Sequence, residues 1–414
     1  MGTPLLVSVD SDTKLLPDQV RTALVSDLVG TFGPFRNPRV GSGIAWLGDS
    51  ITRGLGSTNN GDSVPPILSG TDITVAGNSI ATYAMLYSGG RLLKTVNAGI
   101  SGNTTAQMLA RVQTDVVAYK PAVCVVLGGT NDSAAPVSLA NFASNITGIV
   151  VALRKAAILP VLCTIPTINS APQRAIIIGY NNWLRRYASQ QGITLLDYYP
   201  QTVDPATGNL LQTAMGNADG THPGDIGYAS LGKYAADTLA PMVGASAIPI
   251  ASDNTDAANL LQDGLFLGNV SNGIASGWSV YGTMPSGATT SVVTDPLVPG
   301  KMQQIDAAST SGGAVVYQRI TPVAGRRLAF SGVITKTAGQ CSIQAYVNST
   351  DGKDTYNLIL DVTQPVTRGR FYTEWVVPAN VASIDVKFYT QPGTMTLSVG
   401  QMTVYDITAQ AALA

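Results

Sequence analysis

The stretch "IAWLGDSITRG", Ile44 to Gly54, opens as a continuous apolar run of strand length and breaks at Gly48, Asp49 and Ser50, where a helix is expected to begin. A short run that is apolar at every position reads as a strand covered on both faces, the kind found in parallel sheets. The same pattern recurs as far as about Val243. "KTVNAG", "AVCVVLGG", "PVLCTIP" and "ITLLDYY" are separated by helix-length amphipathic stretches such as "TTAQMLARVQTDVVAY" and "LANFASNITGIVVALRKAA". Strands alternating with helices predict an α/β fold, a parallel sheet with helices on both faces. Such sheets bind ligands at the carboxyl ends of their strands, near the switch in strand order, and Ser50 falls at that edge.

The chain has 414 residues, more than one ordinary core accommodates, so two domains with an additional arm are expected. Hydrophobic residues make up 45% and charged residues 12%, which describes a well-buried chain with an uncharged polar surface and argues against disorder. A net charge of -1 supplies no field to attract nucleic acid or anionic lipid, so no nucleic-acid partner is expected. Of the three cysteines, Cys124 and Cys163 sit in apolar strand-like runs and read as small hydrophobes; no disulfide framework is expected. The start lacks the basic and apolar regions of a signal peptide, and no apolar stretch approaches the roughly 18 residues of a membrane span, so a soluble protein is expected.

Four regions are expected along the chain. Residues 1–35 form an arm in which Leu16, Val20, Ala23, Leu24, Leu28 and Val29 recur at helical spacing behind Pro17, either docking on a partner or packing on its own domain. The α/β domain occupies 36–245 and a small-residue linker 246–258. Over 259–414, short β-branched and aromatic runs such as "RRLAFSGVITKT", "CSIQAYVNS" and "FYTEWVVP" alternate with turn residues and predict an all-β sandwich.

The chain contains one histidine, His222, in "NADGTHPGDIGYASLG". If Ser50 reacts at neutral pH, His222 is its candidate general base, and Asp219, three residues ahead, can orient the imidazole. The serine is not in Gly-x-Ser-x-Gly, so the α/β-hydrolase elbow does not apply. "NAGISGNTT", with Gly102, and "VVLGGTND", with Gly129 and Asn131, end strand-like runs on the same expected edge. The N–H groups of Ser50 and Gly102 and the Asn131 amide are candidate donors to a developing oxyanion. Singly, each stretch also has a plain structural reading: a capped turn at Gly-Asp-Ser, positive φ at the glycines, a turn at Asn131, a helix cap at His222. Asp49 and Asp132 read as structural, with Asp49 capping the helix after Ser50. Paired-carboxylate chemistry and a metal site are disfavoured, and no cofactor is expected.

As an ordered set, "GDS", "GISG", "GTND" and "DGTH" resemble the SGNH family of hydrolases, also called GDSL esterases and lipases, over roughly Ile44 to Val243. The resemblance implies a flavodoxin-like three-layer αβα fold. It also implies a Ser50 nucleophile, a His222 base, an Asp219 orienting carboxylate, and an oxyanion hole from Ser50, Gly102 and Asn131. One departure is "GDSIT", where the family has leucine in place of Ile51. Asn259 to Gly282 looks like the opening of jelly-roll domains of carbohydrate-binding modules, which makes Trp278 and Tyr281, with Tyr346, Tyr356 and Trp375, candidates for stacking on sugar rings. The N-terminal "SVDSDTKLLPDQVRTALVSDL" is similar to tail-associated proteins of actinobacterial phages.

Together these resemblances imply a serine esterase acting on short, acetyl-type O-acyl esters of a glycan, extracellular or virion-associated without a classical signal peptide. The arm would support a homo-oligomer, a trimer in a tail component, or attachment to a larger assembly. A lipase or thioesterase of the same family, and a non-enzymatic tail or adhesion protein with a hydrolase fold, are the alternatives.

Overall fold

The apolar runs form a five-stranded parallel sheet of β1 (Ile44–Gly48), β2 (Lys94–Gly99), β3 (Val123–Leu127), β4 (Leu159–Cys163) and β5 (Thr194–Leu196), in the order β2-β1-β3-β4-β5. That is the doubly wound, flavodoxin-like order, and its switch point lies between β1 and β3. The structure, a computed structural model, describes residues 43–63, 73–216, 219–243, 248–309 and 311–411. The helix expected in the N-terminal arm lies outside the described residues. Every residue of β1 and β3 is buried, as continuous apolar strands covered on both faces should be.

Nine helices are described over this part: α1 (Ser50–Arg53), α2 (Ile80–Tyr87), α3 (Thr105–Asp115), α4 (Thr130–Ala134), α5 (Leu139–Lys155), α6 (Ala171–Gln191), α7 (Tyr199–Thr202), α8 (Gln212–Met215) and α9 (Asp225–Leu239). Buried residues of α3, α5 and α6, among them Met108, Phe142, Ile146 and Tyr180, pack with Val96, Val126 and Leu162 on one side of the sheet. Those of α2 and α9 pack with Trp46, Val125 and Val161 on the other. The result is the three-layer αβα arrangement expected from the sequence. No helix among the described residues is long and apolar enough to cross a membrane.

The C-terminal strands are β6 (Val270–Ser271), β7 (Ile274–Ala275), β8 (Ser279–Val280), β9 (Ala288–Val293), β10 (Met302–Ser309), β11 (Val315–Ile320), β12 (Arg327–Lys336), β13 (Cys341–Ser349), β14 (Thr355–Val362), β15 (Val366–Val376), β16 (Val381–Thr390) and β17 (Gly393–Asp406). Ten of them make two antiparallel sheets, β15-β12-β17-β10-β9 and β14-β13-β16-β11-β8, the all-β sandwich expected from the sequence. The described part of the segment expected as a linker, from Ile248, lies along this sandwich. Ile248 and Ala251 are buried, the Ala251 N–H donates to Thr403 Oγ1 at 2.9 Å, and Ser331 Oγ donates to the Pro249 carbonyl at 2.6 Å.

The sandwich is fused to the α/β layers. Residues 73–76 run parallel to the edge strand β14: Leu358 N–H donates to Ile73 O at 2.8 Å, Val75 N–H to Leu358 O at 2.7 Å and Asp361 N–H to Ala76 O at 2.9 Å. This pairing covers an edge that would otherwise present open backbone groups. Asn78 Oδ1 accepts from the Thr363 N–H at 3.1 Å, the Tyr83 hydroxyl accepts from the Gln364 N–H at 3.1 Å, and Met85 and Leu86 of α2 pack on Tyr372 and Gly369 of β15. One buried cluster therefore runs from Trp46, Ile80 and Tyr83 to Phe330, Phe371 and Trp375, and both parts belong to a single compact unit. We expect one cooperative unfolding transition for the two parts, since one buried cluster is shared between them. Two well-separated calorimetric transitions would contradict the fused core.

Candidate active site

Gly48 of β1 stands in register with Gly99 of β2 and Leu127 of β3, so the three motif-bearing turns leave the sheet side by side. Asp49 is the N-cap of α1 and Ser50 its first residue; Asp49 Oδ1 accepts the Ile51 N–H at 2.9 Å. Ser50 is thereby presented at a helix start above the sheet edge, with 5% of its surface exposed.

His222 reaches the same point from the loop between α8 and α9. That loop is anchored at both ends, by the Gly224 N–H on Met215 O at 2.6 Å and by the Asn169 N–H on Gly220 O at 2.8 Å. His222 Nε2 lies 2.8 Å from Ser50 Oγ, and His222 Nδ1 lies 2.7 Å from Asp219 Oδ2. Asp219 Oδ1 also accepts the main-chain N–H groups of Thr221 and His222, both at 2.8 Å. Partial burial pushes the Asp219 carboxyl up, but these two N–H bonds and the imidazole outweigh it and hold the group below the usual carboxylate range. An ionised carboxylate on Nδ1 favours the tautomer with its proton there, leaving Nε2 to accept from Ser50.

Gly102 sits at φ +82° in an exposed turn, with open space where a side chain would be. Asn131 is the second residue of α4, whose N-cap Gly129 has a φ of +123° that only glycine adopts readily. Its Nδ2 donates to the Asn103 carbonyl at 3.0 Å, which fixes the amide against the Gly102 turn and leaves a second amide hydrogen. Asp132 points the other way: it accepts both the N–H and the hydroxyl of Thr105 and so ties the start of α3 to α4.

Sequence reasoning missed Arg111. From α3 its guanidinium donates to the Gly48 carbonyl at 2.8 Å, to Asn103 Oδ1 at 2.8 Å and to Asp115 at 2.9 Å, bracing the turn before Ser50 against the turn after Gly102. Its position on the helical face was legible; the carbonyl it would reach was not.

The aromatic candidates of the sandwich fare differently. Trp278 is 5% exposed and packed against Phe266 and Phe388, and Trp375 is fully buried, so neither ring offers a face to a sugar. Tyr281 is 43% exposed, but the Lys387 ammonium lies 3.5 Å from its ring centre and 3.6 Å from that of Tyr346. Tyr356 is half exposed.

Asp49 is fully buried. Its Oδ2 and the Thr130 hydroxyl are both buried without a hydrogen bond. Burial raises its carboxyl to about 6, against the opposing effects of the Ile51 N–H and nearby His222. The folded state thus holds this proton more tightly than the unfolded chain, and the stabilisation is complete below the ordinary carboxyl range and lost as pH rises through about 6. Asp49→Asn keeps a capping oxygen and removes the buried charge. In urea denaturation the variant should match wild type near pH 4 and exceed it at pH 8, by up to about 3 kcal/mol. A variant less stable at pH 8 would show that the carboxylate has a partner.

The model of the GDSL-like Lipase/Acylhydrolase family matches residues 46–230, and no curated protein sequence matches the chain. Among solved structures, the chain is similar to a lipolytic protein of the G-D-S-L family from Desulfitobacterium hafniense, with 24% identity, a TM-score of 0.40, and coverage of 48% of this chain and 99% of that one. An acetylxylan esterase from Geobacillus stearothermophilus gives 23% identity and a TM-score of 0.38 over 48% of this chain and 94% of its own. Tailspike protein 4 of bacteriophage CBA120 gives 14% identity and a TM-score of 0.27 over 34% of this chain and 22% of that one. Residues 46–230, a little under half of the chain, match the GDSL-like lipase/acylhydrolase family, a family of ester hydrolases.

Proposed function

We propose that the protein cleaves O-acyl esters through a covalent intermediate on Ser50. The observation that carries this reading is the continuous chain from Asp219 through His222 to Ser50, at hydrogen-bond distance throughout. As Ser50 Oγ attacks the acyl carbon, its proton passes to His222 Nε2, and the carbonyl electron pair moves onto oxygen. That oxyanion is received by the N–H groups of Ser50 and Gly102 and by the Asn131 amide. Collapse expels the alcohol oxygen, which takes the proton from His222. Water, deprotonated by His222, then attacks the acyl-serine, and the carboxylic acid leaves as Ser50 regains its proton.

The substrate class we favour is a short acyl group on a glycan alcohol. The residues flanking the triad toward solvent are small and polar, Ser101, Gly102, Asn103, Asn131 and Thr221, which suits a polar alcohol better than a lipid chain. A role in a phage tail, acting on the host envelope with the arm as its attachment, belongs to the same proposal. So does the division into an arm at 1–35, a catalytic domain at 36–245 and a sandwich from 259.

Ser50→Ala should lower turnover by several powers of ten, because the nucleophile itself is lost. Asn131→Ala should cost roughly 10²- to 10³-fold in kcat as a transition-state hydrogen bond goes, with the melting temperature lowered only slightly by loss of the bond to the Asn103 carbonyl. A series of nitrophenyl esters should peak at acetyl or propionyl. A maximum at eight carbons or longer would replace the glycan-ester reading by a lipase one, and absence of wild-type turnover on every acyl ester would favour a structural role.

A further inference from the structure

The loop that follows the nucleophile helix has one unusual tie. Asn59, in the segment that follows α1, donates from Nδ2 to Asp361 Oδ2 at 2.7 Å and to the Asp361 carbonyl at 3.3 Å, across 302 positions of sequence. Asp361 is 2% exposed, near the end of the edge strand β14, and its carboxylate also accepts from Gln340 Nε2 at 3.0 and 3.1 Å. Asn59 Oδ1 in turn accepts the N–H groups of Gly61 and Asn78, both at 3.3 Å, so this amide organises the loop around itself.

The other side of the loop is tied to the element that carries the histidine. The Thr58 N–H donates to Asp225 Oδ1 at 2.8 Å and its hydroxyl to Asp225 Oδ2; Asp225 opens α9, three residues after His222. The Tyr228 hydroxyl, one turn further on, donates to the Leu55 carbonyl at 2.6 Å. At its start the loop is hooked to the nucleophile, where the Gly54 and Leu55 N–H groups donate to the Ser50 carbonyl at 3.1 and 3.0 Å.

We infer that Asp361 of the sandwich is a positioning residue for the hydrolytic site: through Asn59 it holds the 55–62 loop against α9, and so fixes Ser50 and His222 relative to each other. The sandwich is then part of the catalytic unit. This inference rests on the proposed roles of Ser50 and His222. Its size follows from geometry, because a displacement of about 1 Å between reacting groups can cost on the order of 10²-fold.

The test uses the full chain. Asn59→Asp keeps the two accepting bonds of Oδ1 but sets a carboxylate against Asp361, and should lower kcat by ten- to a hundredfold with KM changed less than about threefold. The swap Asn59→Asp with Asp361→Asn restores a donor and an acceptor in reversed order and should recover kcat to within about threefold of wild type. Because His222 is the only histidine of the chain, its labelled imidazole gives one set of NMR signals. The loss of the hydrogen bond to Ser50 should appear there in Asn59→Asp and be reversed in the swap. Wild-type kcat in Asn59→Asp, or a loss that the swap leaves in place while the melting temperature recovers, would overturn the inference. A Ser50→Ala protein as active as wild type on the same ester would instead overturn the assignment of Ser50, and this inference with it.

Discussion

At the carboxyl end of β1 the backbone has no room for a side chain. A Cβ on Gly48 would stand 1.9 Å from Thr52 Oγ1 and 2.4 Å from the Leu127 carbonyl of the neighbouring strand. Only glycine lets α1 fold back this closely onto β3, and that fold-back is what lifts Ser50 over the sheet edge. Gly99, aligned beside it, is equally crowded by the Arg53 and Asp49 backbone. The chain therefore turns sharply at both strands, the Gly48 carbonyl is left to Arg111, and the turn bearing Gly102 is drawn against the turn bearing Ser50. The order β2-β1-β3 makes the three turns neighbours, and close packing sets their spacing.

The second constraint is the junction with the sandwich. A helix apolar nearly all round, such as α2, must be covered on every side, and here Met85 and Leu86 find β15 where a free-standing domain would have needed a further helix or solvent-tolerant residues. The edge of β14 is closed by residues 73–76 in the same stroke. A tethered module would leave the catalytic layer indifferent to the sandwich. A shared core does not, because interiors packed at this density transmit strain.

Much of the α/β part was legible because its signals are local. β1 and β3 announce themselves as runs apolar at every position, and the turns after them carry glycines whose positive φ or crowding admits no other residue. The pairing of Ser50 with His222 was inferable from chemistry alone, since the chain has a single imidazole. What remained hidden depends on faces and edges that periodicity does not encode. Trp278 follows a glycine in a β-rich region and reads equally well as surface or core; only the sheet decides that it meets Phe388. Small residues at 246–258 read as a linker, whereas Ala251 is buried with its N–H bonded to Thr403 Oγ1, a partner 152 positions away that composition does not indicate. Asn59 and Asp361 carry no mark of their partnership, since nothing in either neighbourhood specifies a contact 302 positions away.

Ser50 is proposed to be a nucleophile made reactive by His222. A fluorophosphonate reacts with such a serine by displacement of fluoride at phosphorus and leaves a stable adduct that mass spectrometry locates. One adduct is expected, on the peptide containing Ser50, formed far more slowly when His222 is replaced by alanine. No adduct on the folded protein, an adduct on a different serine, or labelling of Ser50 at the same rate without His222 would contradict it.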